Sequence, residues 1–403
     1  MTDIQSEPRA SALANTKAQD HSTYLICHIT TVHSPHDTRV LHKECVSLAK
    51  AGYQVVLLAL SATEEHRHSD NLRIQPVGRI YRRRLTRMMF GARAAYREAL
   101  KLHASVYHFH DPEFLPYARK LVRKGYRVIY DAHEDVPLQV QSKHYLPSVI
   151  RKPLSWLVRR YENYAMRKLT AVIVVTPPML PRVERNNRLS AIVMNMPLLS
   201  EFPPPPPWET RENAIAYVGG LTVSRGMIQL VETMEYLDHK LYLAGSFSPL
   251  SLESKLSAMA GWKQVDYLGY LSRKDVLHLN HRVKIGIITP LPDPNNLIGL
   301  YTKMFEYMAC AIPVLVSDFP LLREIVTRLK CGICVNPTKP HEIAEAINYL
   351  FSHQQEAETM GWRGRKAVEN GYNWHTAGEH PLLTLYSKVL ASFPMGMKPA
   401  DEP

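Results

Sequence analysis

Thr302, Lys303 and Glu306 occupy the first two turns of an expected helix, and their types and spacing could bind a sugar diphosphate. Gly299 and Asn296 break the chain just before that helix, and the apolar run after Pro313, Val314-Leu315-Val316, reads as a buried parallel strand. A helix start aimed into a cleft is an anion site, because its free N–H groups and its dipole favour phosphate. Lys303 adds a full positive charge, and Glu306, one turn later on the same face, could accept two hydroxyls of a ribose or hexose. The plainer alternative is a solvated i,i+3 ion pair, which contributes only about 0.2–0.5 kcal/mol.

A second loop suits the same ligand. Gly219-Gly220-Leu221-Thr222-Val223-Ser224-Arg225-Gly226 follows the apolar segment Ala214–Val218, and a glycine pair allows close approach of backbone to a diphosphate, with Arg225 beside it. Taken alone, such a pair is a tight turn. In the first half, loops after strands carry His33, His36, Asp37 and Arg39, then His110 and Asp111, then His133 and Glu134. His108 and His110 alternate along a strand, so two imidazoles could share an ion with Asp131 and His133, but the set falls short of a full hydrolase site and no metal is expected. Glu134 points away from His133 in extended chain, which suits a helix cap or an orienting role. Cys331-Gly-Ile-Cys334 is a lone CxxC without a second pair or suitably spaced histidines, and packing is the expected role.

The elements that must position these groups alternate as strand and helix. Strands are expected at Tyr24–Thr31, Gln54–Leu60, Ser105–His110, Arg127–Asp131, Ala171–Thr176 and Ile192–Asn195, with a helix from about Asp37 to Ala51. Five consecutive prolines, Pro203–Pro207, cannot join a helix or central strand and mark a linker over 198–212. A second alternating set runs through Ala214–Val218, Leu241–Leu243, Val265–Leu268, Val283–Ile288, Pro313–Ser317 and Ile333–Val335. The expectation is an α/β chain of two Rossmann-like domains with parallel sheets facing a central cleft, over residues 22–197 and 213–373. A last helix, about 374–392, returns to the first domain, and polar tails at 1–21 and 393–403 are expected to be disordered.

The net charge of +12 is uneven: residues 1–200 carry +14 and residues 201–403 carry −2. Arg79, Arg82, Arg83, Arg84, Arg87, Arg93 and Arg97 are interleaved with apolar residues and no acid, a pattern that fits either a solvated helix face or peripheral contact with an anionic membrane. No nucleic-acid motif accompanies it, and no nucleic-acid partner is expected. No apolar run is long enough to span a bilayer, the first twenty residues lack a signal-peptide core, and the five cysteines do not read as a secreted disulfide framework, so a cytoplasmic location is expected, at the inner face of the cytoplasmic membrane if the basic segment binds lipid.

The string Thr302-Lys303-Met304-Phe305-Glu306-Tyr307-Met308-Ala309-Cys310-Ala311-Ile312-Pro313-Val314-Leu315-Val316-Ser317 resembles the donor-binding signature of the family 4 retaining glycosyltransferases, and the glycine loop and Tyr130–Asp135 add to the likeness. The resemblance implies a GT-B fold with a basic acceptor domain, and transfer of a sugar from a nucleoside-diphosphate donor to a glycan or lipid-linked acceptor in cell-surface polysaccharide assembly. It implies no cofactor and no metal. It places Gly219, Gly220, Arg225, Asn296, Leu297, Thr302, Lys303 and Glu306 at the donor, with Arg225 and Lys303 on the phosphates, Glu306 on the ribose and His133 on the reacting sugar. The remaining first-half loop residues fall on the acceptor side. Two departures stand out. Gly220 occupies the family's usual arginine position, leaving Arg39 as one candidate for that phosphate contact, and Ile298 occupies the first of two paired glutamates, whose role could pass to Asp293, Asn295, Asn296 or backbone around Leu297–Leu300. They keep open an epimerase or hydrolase of the same fold, or a non-catalytic subunit of a glycan-assembling complex.

Overall fold

The computed structural model describes residues 21–78, 81, 86–143 and 146–392. The expected tails, apart from His21, lie outside the described residues, as do Arg79, Arg82, Arg83 and Arg84.

The first sheet contains β1 (Leu25–Thr30), β2 (Gln54–Ala59), β3 (His66–Ser69), β4 (Leu72–Pro76), β5 (Val106–Phe109), β6 (Arg127–Ala132), β7 (Ala171–Val174) and β8 (Ser190–Ile192), in the order β3-β4-β2-β1-β5-β6-β7-β8. The β-branched, apolar strands such as Ala171–Val174 are buried along their whole length, as a parallel sheet covered on both faces requires. β3 and β4 were not anticipated. They form an antiparallel edge pair, and His66–Ser69 is exposed at every residue, so no apolar alternation marks it in the sequence.

The second sheet contains β9 (Glu212–Val218), β10 (Lys240–Ala244), β11 (Val265–Gly269), β12 (Val283–Ile288), β13 (Val314–Ser317) and β14 (Gly332–Val335), in the order β11-β10-β9-β12-β13-β14. All its pairings are parallel. The order reverses between β9 and β12, and in an open parallel sheet that switch point opens a crevice beyond the strand ends. The loops after β9 and β12 therefore decide what binds there.

Compact packing divides the chain into residues 1–108 and 109–403, with the division inside β5 and not at the proline linker. The returning segment gives a reason: helix His380–Ala391 packs on β8, Met194 N–H donates to Ala377 O at 2.9 Å, and Trp374 N–H donates to Pro197 O at 2.8 Å. Pro203–Pro207 lies outside helix and strand. Its neighbourhood still supplies acceptors, and two arginines meet them: Arg365 Nη1 donates to Phe202 O at 2.9 Å, and Arg211 Nη2 to Pro206 O at 3.1 Å.

The expected helix after β1 begins with wide π-type turns over Thr38–Cys45 and continues as Val46–Lys50. Asp37 caps it, accepting from Arg39 N at 2.8 Å and Val40 N at 3.0 Å. Burial opposes the Asp37 charge, but the His33 side chain and the two amides prevail and hold its carboxyl well below the usual range. Asp37→Ala is expected to cost about 1 kcal/mol. Because the folded-state carboxyl is the stronger acid, this stabilisation is complete above the ordinary aspartate value and is lost as pH falls below it. Melting temperatures of both proteins should converge on acidification.

Candidate functional site

A cavity of about 250 Å³ lies at the switch point of the second sheet. The glycine loop after β9, Arg225, the end of β12 with Pro290, and Leu300 to Lys303 line it. Each wall has a local cause. At Gly226 φ is +77°, and a Cβ there would sit 2.1 Å from Thr289 O, so only glycine lets the turn press against the loop after β12. Thr222 caps the short turn Val223–Arg225 by accepting from Arg225 N at 3.2 Å. The Arg225 guanidinium lies 4.8 Å from the centre of the Tyr301 ring, which holds the cation over a flat surface at the cavity wall.

Helix Thr302–Ala309 starts at the cavity without a side-chain cap; Met304 N donates to Tyr301 O at 2.9 Å, which leaves the amides of Thr302 and Lys303 as the ones an anion would meet. Tyr307 fixes its position. The Tyr307 hydroxyl donates to Ala216 O at 3.1 Å and accepts from Val218 N at 3.0 Å, and its ring lies where a Cβ on Gly286 would stand 2.3 Å away. Thr302 Oγ1 donates to Asn195 O at 3.0 Å. Lys303 Nζ reaches Glu306 Oε2 at 2.6 Å, with side chains 35% and 13% exposed. The i,i+3 pair thus forms with both side chains largely shielded from solvent; Lys303 lines the cavity, and Glu306 is not among its lining residues.

The loop after β12 differs from expectation. Asp293 Oδ1 accepts from Asn295 N and Asn296 N at 2.9 Å and from Ser142 Oγ at 3.0 Å, while Oδ2 accepts from Ser224 Oγ and Asn296 Nδ2 at 2.9 Å. Asn296 Nδ2 also donates to Leu291 O at 2.9 Å. The Asp293 carboxylate and the Asn296 amide nitrogen thus tie this loop to itself and to Ser224 of the glycine loop. Leu297 is exposed and is not among the residues lining the cavity, whereas Leu300 is. Tyr217, Tyr301 and Ser224 were not anticipated. An aromatic residue immediately before Thr302-Lys303 was the available signal for Tyr301.

In the first unit, Arg39 is buried with Nε 2.9 Å from Glu44 Oε1. That ion pair engages the Arg39 guanidinium within the first unit. His33 lies 3.6 Å from Asp37, His36 is exposed, and the rings of His28 and His108 are 4.3 Å apart with Glu44 3.8 Å from His108. In the second unit, His133 Nε2 is 2.8 Å from Asp131 Oδ2, and His110 Nδ1 is 3.3 Å from the same oxygen and 3.2 Å from His133 Nε2. The trio is hydrogen-bonded to itself, and His133, 18% exposed at its side chain, is not among the cavity's lining residues. Both histidine clusters contain metal-capable donors. Asp111 is buried where the turn Pro112–Phe114 begins. Asp135, not Glu134, caps the following helix by accepting from Leu138 N at 3.0 Å; Glu134 accepts from Gln139. Burial pushes the Cys331 thiol up to about 12 and Cys334 to about 11, so neither is a thiolate at neutral pH.

Two family models match the chain in succession: "Glycosyltransferase Family 4" over residues 37–193 and "Glycosyl transferases group 1" over residues 200–367. The chain belongs to this glycosyltransferase family. Among curated proteins, the family member is 25% identical over 185 residues to the capsular polysaccharide biosynthesis glycosyltransferase CapM of Staphylococcus aureus, covering 44% of this chain and 46% of that one. It is 27% identical over 188 residues to an alpha-maltose-1-phosphate synthase of Mycolicibacterium smegmatis, covering 44% and 48%. The chain thus spans about half the length of the curated relatives it matches. Sucrose-phosphate synthase of Thermosynechococcus elongatus superposes with a TM-score of 0.76 at 18% identity, over 92% of this chain and all of that one. HepE of Anabaena, solved with UDP and glucose, superposes with a TM-score of 0.67 at 12% identity over 92% and 100%. At these identities the likeness establishes the fold, which is GT-B. Among the described residues no helix is long and apolar enough to cross a membrane.

Proposed function

We propose that this glycosyltransferase moves a sugar from a nucleoside-diphosphate donor, with retention at the anomeric carbon, onto a glycan or lipid-linked acceptor in cell-surface polysaccharide assembly. The carrying observation is the cavity at the switch point, where a glycine loop, Arg225, an uncapped helix start and Lys303 converge. A diphosphate there meets two cations and free amides. Glu306 holds the ribose, and His133, fixed by Asp131, serves the transferred sugar. Charge on the departing diphosphate is neutralised by Arg225, Lys303 and the helix dipole, so the reaction needs no divalent ion, and rate comes from positioning and electrostatics in a water-poor site. HepE, solved with UDP and glucose, makes a uridine donor the first choice.

The protein works at the inner face of the cytoplasmic membrane, consistent with the basic first half and with exposed Met88, Met89, Phe90, Arg93 and Arg97. The test supplies candidate nucleotide sugars and lipid-linked acceptors with a chelator present and reads the product's anomeric configuration by NMR. Transfer with retention supports the proposal. Free sugar in place of product would assign a hydrolase, and inverted product would refute retention.

A further inference from the structure

The helix Ser148–Met166 is turned inside out relative to an ordinary surface helix. Its buried side is Ser155, Glu162, Ala165 and Met166, a mixture with two polar members. Its outer side is apolar and aromatic: Val149 is 78% exposed, Trp156 59% and Leu157 54%, with Ile150, Leu154, Tyr161 and Tyr164 exposed beside them. At 3.6 residues per turn, Val149, Pro153, Trp156, Arg160 and Tyr164 fall along one stripe, with Ile150, Leu154, Leu157 and Tyr161 along the next. An apolar strip of this extent marks an interaction surface on a water-soluble face.

The charges around the strip are of one sign. Lys152, Arg159, Arg160, Arg167 and Lys168 are exposed, while Glu162, the helix's one acid, is buried against Arg182. Trp156, Arg159, Arg160, Asn163, Tyr164 and Arg167 line a depression of about 520 Å³. The Arg160 guanidinium lies 5.7 Å from the centre of the Trp156 ring, and Arg119 sits 4.5 Å from the Tyr164 ring while donating to its hydroxyl at 3.1 Å. Apolar stem, aromatic tip and cationic rim together match the boundary between acyl chains and anionic headgroups, where Trp and Tyr settle and arginines meet phosphate.

We infer that Ser148–Met166 is the surface by which this protein docks on an anionic bilayer, lying in the interface with Trp156 and Leu157 inserted and Arg159, Arg160 and Arg167 on lipid phosphates. The inference deepens the proposed function by naming the membrane-contacting element, and it rests on the membrane part of that reading, not on the donor site.

The test is co-sedimentation of the full chain with phosphatidylcholine vesicles, with and without about one-third phosphatidylglycerol. Binding is expected only with the anionic lipid. Trp156→Ser combined with Leu157→Ser should abolish it, and each of Arg159→Gln, Arg160→Gln and Arg167→Gln should weaken it about fivefold. Nucleotide-induced thermal shifts of these variants should match the wild type, which separates failure of docking from failure of the donor site. Met89→Ser combined with Phe90→Ser provides the contrast. If that pair alone removes binding, or if the Trp156/Leu157 variant binds vesicles normally, the inference is overturned. A wild-type dimer that becomes a monomer in the Trp156/Leu157 variant, with vesicle binding intact, would assign the face to self-association and overturn it equally.

Discussion

Lys303→Ala is expected to lower turnover by at least about 10²-fold at saturating donor, the loss typical of removing one preorganised group that stabilises transition-state charge. The side chain borders the cavity at the first turn of an uncapped helix, and its ammonium is held in place by Glu306 at 2.6 Å. Stability should barely change, because an i,i+3 pair on a helix contributes only about 0.2–0.5 kcal/mol. Lys303→Arg should recover part of the rate, since a cation remains while its geometry changes. Steady-state kinetics with a melting curve for each variant decides the matter. Unchanged turnover in the alanine variant would remove Lys303 from the mechanism.

Arg182→Met is expected to destabilise the fold by about 3–5 kcal/mol, the cost of stranding buried charge. Arg182 Nε lies 3.2 Å from Asp135, and Nη1 donates to Glu162 at 2.8 Å and to Asn163 at 3.0 Å. Tyr130 Oη donates to Glu162 at 3.1 Å. Burial raises the Glu162 carboxyl even with Arg182 opposing the shift. Without the guanidinium the shift grows, so the folded variant binds protons more readily than its unfolded chain, and its deficit should shrink as pH falls. Denaturation midpoints at neutral and mildly acidic pH measure this. Arg182→Met combined with Glu162→Gln should regain part of the loss. The same network ties the proposed docking helix to the cap residue of its neighbour, Asp135.

The parallel core was legible because buried strands such as Val283–Ile288 are continuous apolar runs that end at turn residues. β3 was not, since an exposed edge strand of His66-Arg67-His68-Ser69 has no apolar face to announce it. At the site, the glycine loop and the Thr302–Glu306 helix start could be read because glycine and helix-start residues carry local meaning at fixed spacing. What could not be read depends on long-range pairing. Asp293 and Arg39 were both candidate ligands in one dimension, and only the fold shows Asp293 bonded to Ser224 and Arg39 paired with Glu44. The same limit applied to Ser148–Met166, whose apolar residues suit a core helix equally well until the structure turns them outward.

The central claim is that a nucleoside diphosphate binds between the Gly219–Gly226 loop and the Thr302–Glu306 helix start. Its most direct test is the thermal shift of the wild type and of Glu306→Ala with uridine, guanosine, adenosine and cytidine diphosphates, without added metal. A ligand at about 100 times its dissociation constant should add about 2.7 kcal/mol to the wild type. The account predicts that one diphosphate stabilises the wild type and that Glu306→Ala loses most of the effect while melting normally without ligand. Equal stabilisation of both proteins, or of neither by any diphosphate, would contradict it.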